Sequence, residues 1–77
     1  FDFDFVLDEY GTTKASAEDD ADHILEGEKG EGYRDDIYDA LRELHFTEEE
    51  IRGINQACLE ARMREMLAEE LKSRARL

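Results

Sequence analysis

The chain has 77 residues, of which 40% are hydrophobic and 42% charged, and its formal net charge at pH 7 is −12. This length allows one domain with a thin core, and the acidity excludes general binding to a phosphate backbone. The single cysteine excludes an internal disulfide. No apolar run is long enough to span a membrane, so we expect a cytoplasmic protein without a membrane partner. The chain begins at Phe1 instead of methionine, from which we expect a fragment or a processed form.

The charge is unevenly distributed along the chain. Residues 1–30 contain ten acidic and two basic side chains, residues 31–50 contain eight and two, and residues 51–77 contain four and six. The acidic surplus therefore lies in the first two-thirds, and the basic side chains are concentrated at the end. Lys72, Arg74 and Arg76 are placed to complement the negative end of a helix dipole.

The N-terminal residues alternate apolar and acidic side chains with a period of two, FDFDFVLD. This alternation predicts an extended acidic-aromatic arm over residues 1–15, or a single half-buried strand within it. No second strand is predicted, so three interpretations stay open. The arm lies over the protein's own helices, adds a strand to a partner's sheet, or is disordered until it binds.

Residues 16–77 are predicted to form a small, mainly α domain of about three helices. Ser16 is placed as the N-cap of the first helix, over 17–26, whose first turn is acidic as the helix dipole favours. The glycine-rich segment 27–32 predicts a linker. A second helix is predicted over 33–45, because apolar side chains recur there at helical spacing; they are Tyr33, Ile37, Leu41 and Leu44.

The third and longest helix is predicted over 47–75. Thr47 and Glu50 have the capping-box spacing, and Phe46 and Ile51 are placed for a hydrophobic staple. No proline interrupts the segment, which at about 1.5 Å per residue would reach about 45 Å, longer than a globule of this size is wide. Part of this length is therefore expected to need a partner, either a second copy or a foreign protein.

This long helix carries two apolar stripes on different faces. We expect the first stripe to close the core against the second helix, with Cys58 as a buried, inert thiol beside Ile51, Ile54 and Ala61. The second stripe is expected to meet another chain, with the N-terminal arm as the competing cover. Its members are Leu59, Met63, Met66, Leu67 and Leu71.

No catalytic or metal-binding constellation is recognisable in the sequence. His23, His45 and Cys58 are the candidate nucleophiles and soft metal ligands, and no pair of them has zinc-ligand spacing. The acidic clusters do not match the calcium-binding loop of an EF-hand. We therefore predict a protein that is not an enzyme and that uses no metal or other cofactor.

The acidic side chains determine the predicted function. Carboxylates repeated at short intervals imitate a row of phosphates, so we expect a DNA- or RNA-mimicking inhibitor or regulator that occupies the basic surface of a nucleic-acid-handling protein. The acidic partner-binding residues are predicted to be Asp2, Asp4, Asp8, Asp35, Asp36, Asp39 and Glu43. The apolar partner-binding residues are predicted to be Phe1, Phe3, Phe5, Leu59, Met63, Met66, Leu67 and Leu71.

The alternative hypothesis is an antitoxin-like or assembly subunit. In that role the N-terminal arm adds a strand to its partner and the long helix forms a homodimer. The dependence of binding affinity on ionic strength distinguishes the two hypotheses, because a charge mimic loses affinity as ionic strength rises. An arm-anchored complex depends instead on Phe3 and Phe5.

Overall fold

The computed structural model describes residues 1–76 and is mainly helical, which confirms the predicted class. The helices are α1 (Phe3–Tyr10), α2 (Ala17–Glu26), α3 (Glu28–Glu43), α4 (Glu48–Arg52) and α5 (Gln56–Arg74). These residues contain no strand. The Cα atoms span 41 × 21 × 21 Å along the principal axes, so the molecule is about twice as long as it is wide.

The N-terminal residues form helix α1, where the sequence predicts an extended arm or strand. The side chain of Asp2 caps the helix by accepting a hydrogen bond from the backbone N–H of Phe5 at 3.1 Å. Gly11 ends the helix with a left-handed φ of 59°, and the N–H of Thr12 then donates to the carbonyl of Leu7 at 3.1 Å. Both ends of α1 are thus satisfied by neighbouring residues.

The physical reason for this correction is backbone hydrogen bonding. A lone strand leaves its N–H and C=O groups without partners, whereas a helix satisfies them within the segment. The apolar residues suit a helix as well, because Phe3, Val6 and Leu7 are spaced three and four positions apart and so share one face. Val6 is buried in the core, with Phe3 and Leu7 packed against it.

Residues 27–32, predicted as a linker, largely belong to α3. Gly27 alone separates α2 from α3. At Gly30 the two helices touch through their backbones, since a Cβ there would lie 2.5 Å from the carbonyl oxygen and 2.7 Å from the Cα of Leu25. Glycine is required at this position for close approach, not for flexibility.

Ser16 precedes α2, but its hydroxyl bonds the carboxylate of Asp20 at 2.9 Å instead of capping the backbone.

The predicted long helix is divided into α4 and α5. The capping box at Thr47 is present, with bonds of 3.1 Å in both directions between Thr47 and Glu50. Asn55 then starts a new helix, because its side chain accepts the N–H groups of Ala57 at 3.0 Å and Cys58 at 3.3 Å. With 19 residues, α5 is about 28 Å long and fits within the molecule. The length of α5 therefore does not require a partner chain.

The core lies where α1, α2, the start of α3 and the second half of α5 meet. The main contact is between α2 and α5. The buried cluster consists of Val6, Ala17, Ala21, Ile24, Leu25, Tyr33, Met63, Leu67, Ala68 and Leu71. The second stripe of the predicted long helix thus faces the protein's own core, because α2 lies against it and α1 covers its end.

Candidate binding surface

The outer face of α3 presents a continuous row of exposed carboxylates. Residues three and four positions apart lie on the same side of a helix, so the acids of this segment fall together. We call this surface the α3 acidic face. Its members, all exposed, are Glu28, Glu31, Asp35, Asp36, Asp39 and Glu43. The helix has 16 residues and is therefore about 24 Å long, and Glu48, Glu49 and Glu50 of α4 follow its end.

The arginines of α3 are held in ion pairs. Arg34 donates to the two carboxylate oxygens of Glu60, from Nε at 2.7 Å and from Nη2 at 3.0 Å. Arg42 donates to Glu48 at 2.7 Å and to Asp39 at 3.0 Å. The hydrogen bond from Arg34 lowers the pKa of Glu60, and the one from Arg42 lowers the pKa of Glu48. The carboxyls thus stay ionised, and the two arginines are engaged within the protein.

The basic residues of α5 are also paired, mostly with α2 or within α5 itself. Lys72 bonds Glu18 of α2 at 3.1 Å, and Arg64 pairs with Asp22, which also lies in α2. Arg74 bonds Glu70 at 3.2 Å. The basic end of the sequence therefore neutralises acids nearby, and little of it forms a separate positive surface.

The acids predicted on the N-terminal arm lie elsewhere. Asp2 caps α1, while Asp4 and Asp8 are exposed and line a groove with Arg74 and Arg76. The structure therefore divides the predicted acidic residues between two places. Asp35, Asp36, Asp39 and Glu43 share the α3 acidic face, and the acids of α1 stand beside basic side chains.

Most of the predicted apolar partner residues are used inside the protein. Phe1 and Phe3 pack edge-to-face on Tyr33, with ring centroids 5.3 and 6.5 Å away. Leu59 is partly buried, and the core takes Met63, Leu67 and Leu71. Phe5 (55%) and Met66 (42%) remain exposed. Most of this set therefore packs within the protein's own core, because α1 folds over α5.

A different apolar surface, which the sequence analysis does not predict, lies at the corner between α3 and α4. We call it the apolar corner and define it by Leu41, Leu44 and Phe46. Leu44 is 69% exposed, the highest value among the large apolar residues described, and Phe46 is 41% exposed. Leu41 is half-buried.

The geometry of this corner depends on His45, which has a left-handed φ of 70°. The N–H of His45 donates to the carbonyl of Arg42 at 3.0 Å, and the N–H of Phe46 donates to that of Leu41 at 3.1 Å. These two bonds form a Schellman motif, in which Leu41 and Phe46 occupy the two positions that are frequently in hydrophobic contact. Glycine normally occupies this position, so a strained histidine turns the chain here.

The first stripe of the predicted long helix does not close the core against α3. Ile51 is buried, but Cys58 and Ala61 are exposed, contrary to the expectation that they close the core against α3. Cys58 is thus an exposed thiol rather than a buried one. The sequence signal was available at Asn55, since a capping residue inside a helical run predicts a restart that rotates the following face.

The comparisons with known proteins identify no relative. No protein-family model matches the sequence, and no curated protein or solved structure matches it. Within residues 1–76, no three His, Cys, Asp or Glu side chains are grouped so that they could hold a metal ion. In the same residues, no helix is both long and apolar enough to cross a membrane.

Proposed function

We propose that this protein is a non-enzymatic acidic binding protein that inhibits or regulates a nucleic-acid-handling partner by occupying its basic surface. The observation that carries the proposal is the α3 acidic face, where six exposed carboxylates lie along one 16-residue helix. The net charge of −12 adds long-range attraction to a basic partner.

The dimensions of this face support mimicry of a nucleic-acid strand. The helix is about 24 Å long, and one strand of B-DNA carries a phosphate about every 3.4 Å. The face therefore spans the length of about seven phosphates. Of the six carboxylates over that distance, Asp39 is bonded to Arg42 and Asp36 to the N-terminal ammonium group of Phe1. The other four are spaced more widely than the phosphates of one strand, and lysines and arginines arranged for phosphates can meet them.

The face is also held in place before binding. Gly30 lets α3 pack directly on the backbone of α2, and the bidentate bond from Arg34 to Glu60 joins the middle of α3 to α5. A preordered charge array loses less conformational entropy on binding than a flexible acidic tail. This favours mimicry by a folded surface over attraction by acidity alone.

The antitoxin-like or assembly role has less support. Strand addition needs an extended N-terminal arm, and Phe3–Tyr10 is helical. Dimerisation through the long helix needs a free second stripe, and Met63, Leu67 and Leu71 are buried by α1 and α2. Both surfaces on which that role depends are thus used within one chain.

The test compares two variants with equal net charge. One variant neutralises three of the six carboxylates of the α3 acidic face (Glu31→Gln, Asp35→Asn and Glu43→Gln). The control neutralises three exposed acids elsewhere (Asp19→Asn, Glu26→Gln and Glu69→Gln). Each protein is immobilised and exposed to nuclease-treated lysate. The lysate proteins that it captures are then eluted with a 20-base-pair DNA duplex. We expect wild type and control to release nucleic-acid-binding proteins, and the α3 variant to capture about tenfold less, since each exposed ion pair contributes up to about 1 kcal/mol.

Two results would contradict the proposal. Equal losses in both variants would show that net charge alone attracts the captured proteins. Captured proteins that stay bound in the presence of the duplex would show that the acidic face and DNA do not share a site.

A further inference from the structure

The apolar corner lies on an acidic part of the molecule. Asp39 and Glu43 precede it on α3, and Glu48, Glu49 and Glu50 follow it on α4, all five exposed. The arginine between them, Arg42, is bonded to both Asp39 and Glu48. Exposed apolar side chains within an acidic border are complementary to an apolar stripe with basic flanks.

An exposed apolar side chain is common on protein surfaces, and a single one does not indicate a binding surface. Here Leu44 and Phe46 flank the strained His45, and the Schellman hydrogen bonds present them on either side of a sharp turn. Ile51 is the buried fourth residue of α4, at the spacing from Phe46 that a hydrophobic staple requires. The corner is therefore a hydrogen-bonded apolar projection and not a frayed end.

We infer that the apolar corner is the anchor for a basic amphipathic helix of the partner protein. The partner's apolar stripe covers Leu44 and Phe46, and its lysines or arginines meet the surrounding carboxylates. This inference rests on the proposed function, and it adds the segment of the partner that is recognised. A second copy of this chain fits poorly, because it would bring the same acidic border and a net charge of −12 against −12.

The test uses synthetic peptides and the ¹⁵N-labelled protein. The probe is an 18-residue Leu/Lys peptide patterned as an amphipathic helix. The first control has the same composition in an order without an apolar face, and the second replaces lysine by glutamate. We expect only the patterned Leu/Lys peptide to bind tightly and to shift the amide resonances of residues 41–52.

Two variants test the role of the corner itself. Leu44→Ser is expected to weaken peptide binding by roughly tenfold to a hundredfold, the factor for burying one leucine, and to leave the fold intact because Leu44 is exposed. Met66→Ser removes another exposed apolar side chain, which is 42% exposed and lies outside the corner, and is expected to change binding less than twofold.

Four results would overturn the inference. Equal binding by the reordered Leu/Lys peptide would show attraction by charge alone, and binding by the Leu/Glu peptide would exclude a basic occupant. Light scattering that shows a dimer at both low and high salt, broken by Leu44→Ser, would assign the corner to a second copy. If the peptide binds at the apolar corner but the duplex releases no captured protein, the proposed nucleic-acid role is contradicted and the helix-binding surface is still supported. Successful duplex elution with no peptide shifts at 41–52 overturns this inference alone.

Discussion

The two ends of this molecule use their apolar side chains in opposite ways. At the core end, α2 and α1 cover α5, and Leu67 is completely buried. At the other end no helix of residues 1–76 covers the corner between α3 and α4, and Leu44 is 69% exposed. The core end mixes acidic side chains with Arg64 and Lys72, which pair with acids of α2. Its apolar side chains are closed because α2 lies against α5, and the corner between α3 and α4 has no such cover within residues 1–76.

The largest expected effect comes from truncating one leucine at each end. Leu67→Ala should lower the free energy of unfolding by about 3 kcal/mol, because it leaves a cavity in a closed core. Leu44→Ala should change it by less than about 0.5 kcal/mol. Urea denaturation followed by circular dichroism measures both.

A domain of this size has little stability to lose, so Leu67→Ala alone could unfold it. Ile24→Val provides a milder change at the same end, with an expected loss of about 1 kcal/mol. Similar losses for Leu44→Ala and Ile24→Val would contradict the division between a closed end and an open one.

The next effect distinguishes two glycines of α3. Gly30→Ala should destabilise the fold by about 1–3 kcal/mol, because its Cβ would collide with the backbone of Leu25. At Gly32 a Cβ meets nothing within 4 Å, so Gly32→Ala should stabilise the helix by about 0.5–1 kcal/mol. Thermal unfolding of the two variants tests the contact between α2 and α3, and an equal response at both positions would refute it.

A smaller effect compares the two left-handed helix ends. Gly11 and His45 have φ values of 59° and 70°, but only His45 has a side chain that strains this conformation. His45→Gly should therefore stabilise the protein by about 0.5–1 kcal/mol, and Gly11→Ala should destabilise it by about 1 kcal/mol. Chemical denaturation gives both values. A loss of stability in His45→Gly would mean that the imidazole makes a compensating contact.

The smallest effect concerns the ion pair between Arg34 in the middle of α3 and Glu60 near the start of α5. Because the Arg34 hydrogen bond lowers the pKa of Glu60 in the folded state, the pair stabilises the fold above the unfolded pKa of about 4.3. This contribution is lost as the pH falls through the lower, folded pKa. The stability gap between wild type and Glu60→Gln should thus shrink from pH 6 to pH 3, from less than about 1 kcal/mol because both groups are partly exposed.

Glu69→Gln is the control for this pH series, because Glu69 is exposed and forms no ion pair within residues 1–76. Its stability relative to Glu60→Gln separates the paired carboxylate from general charge reduction. A gap between wild type and Glu60→Gln that stays constant with pH would show that the ion pair does not contribute.

Features of the fold that depend on neighbouring residues could be predicted from the sequence. The capping box of Thr47 and Glu50 and the acidic spacing of α3 involve positions three or four apart, so they could be identified directly. The prediction failed at residues 1–8, where the same apolar residues suit a strand face and a helix face. Asn55 was overlooked because the residues around it all favour a helix, although its side chain restarts one.

From the sequence alone, the helical class, the acidity, the capping box at Thr47 and the shared face of Asp35, Asp36, Asp39 and Glu43 could be predicted. These properties depend on composition and on contacts within one helical turn. Only the tertiary structure decided that Met63, Leu67 and Leu71 are core and that Leu44 and Phe46 are surface. The physical reason is that burial depends on which helix lies opposite, and the position of α2 across α5 is set by contacts between residues about 40 to 50 positions apart.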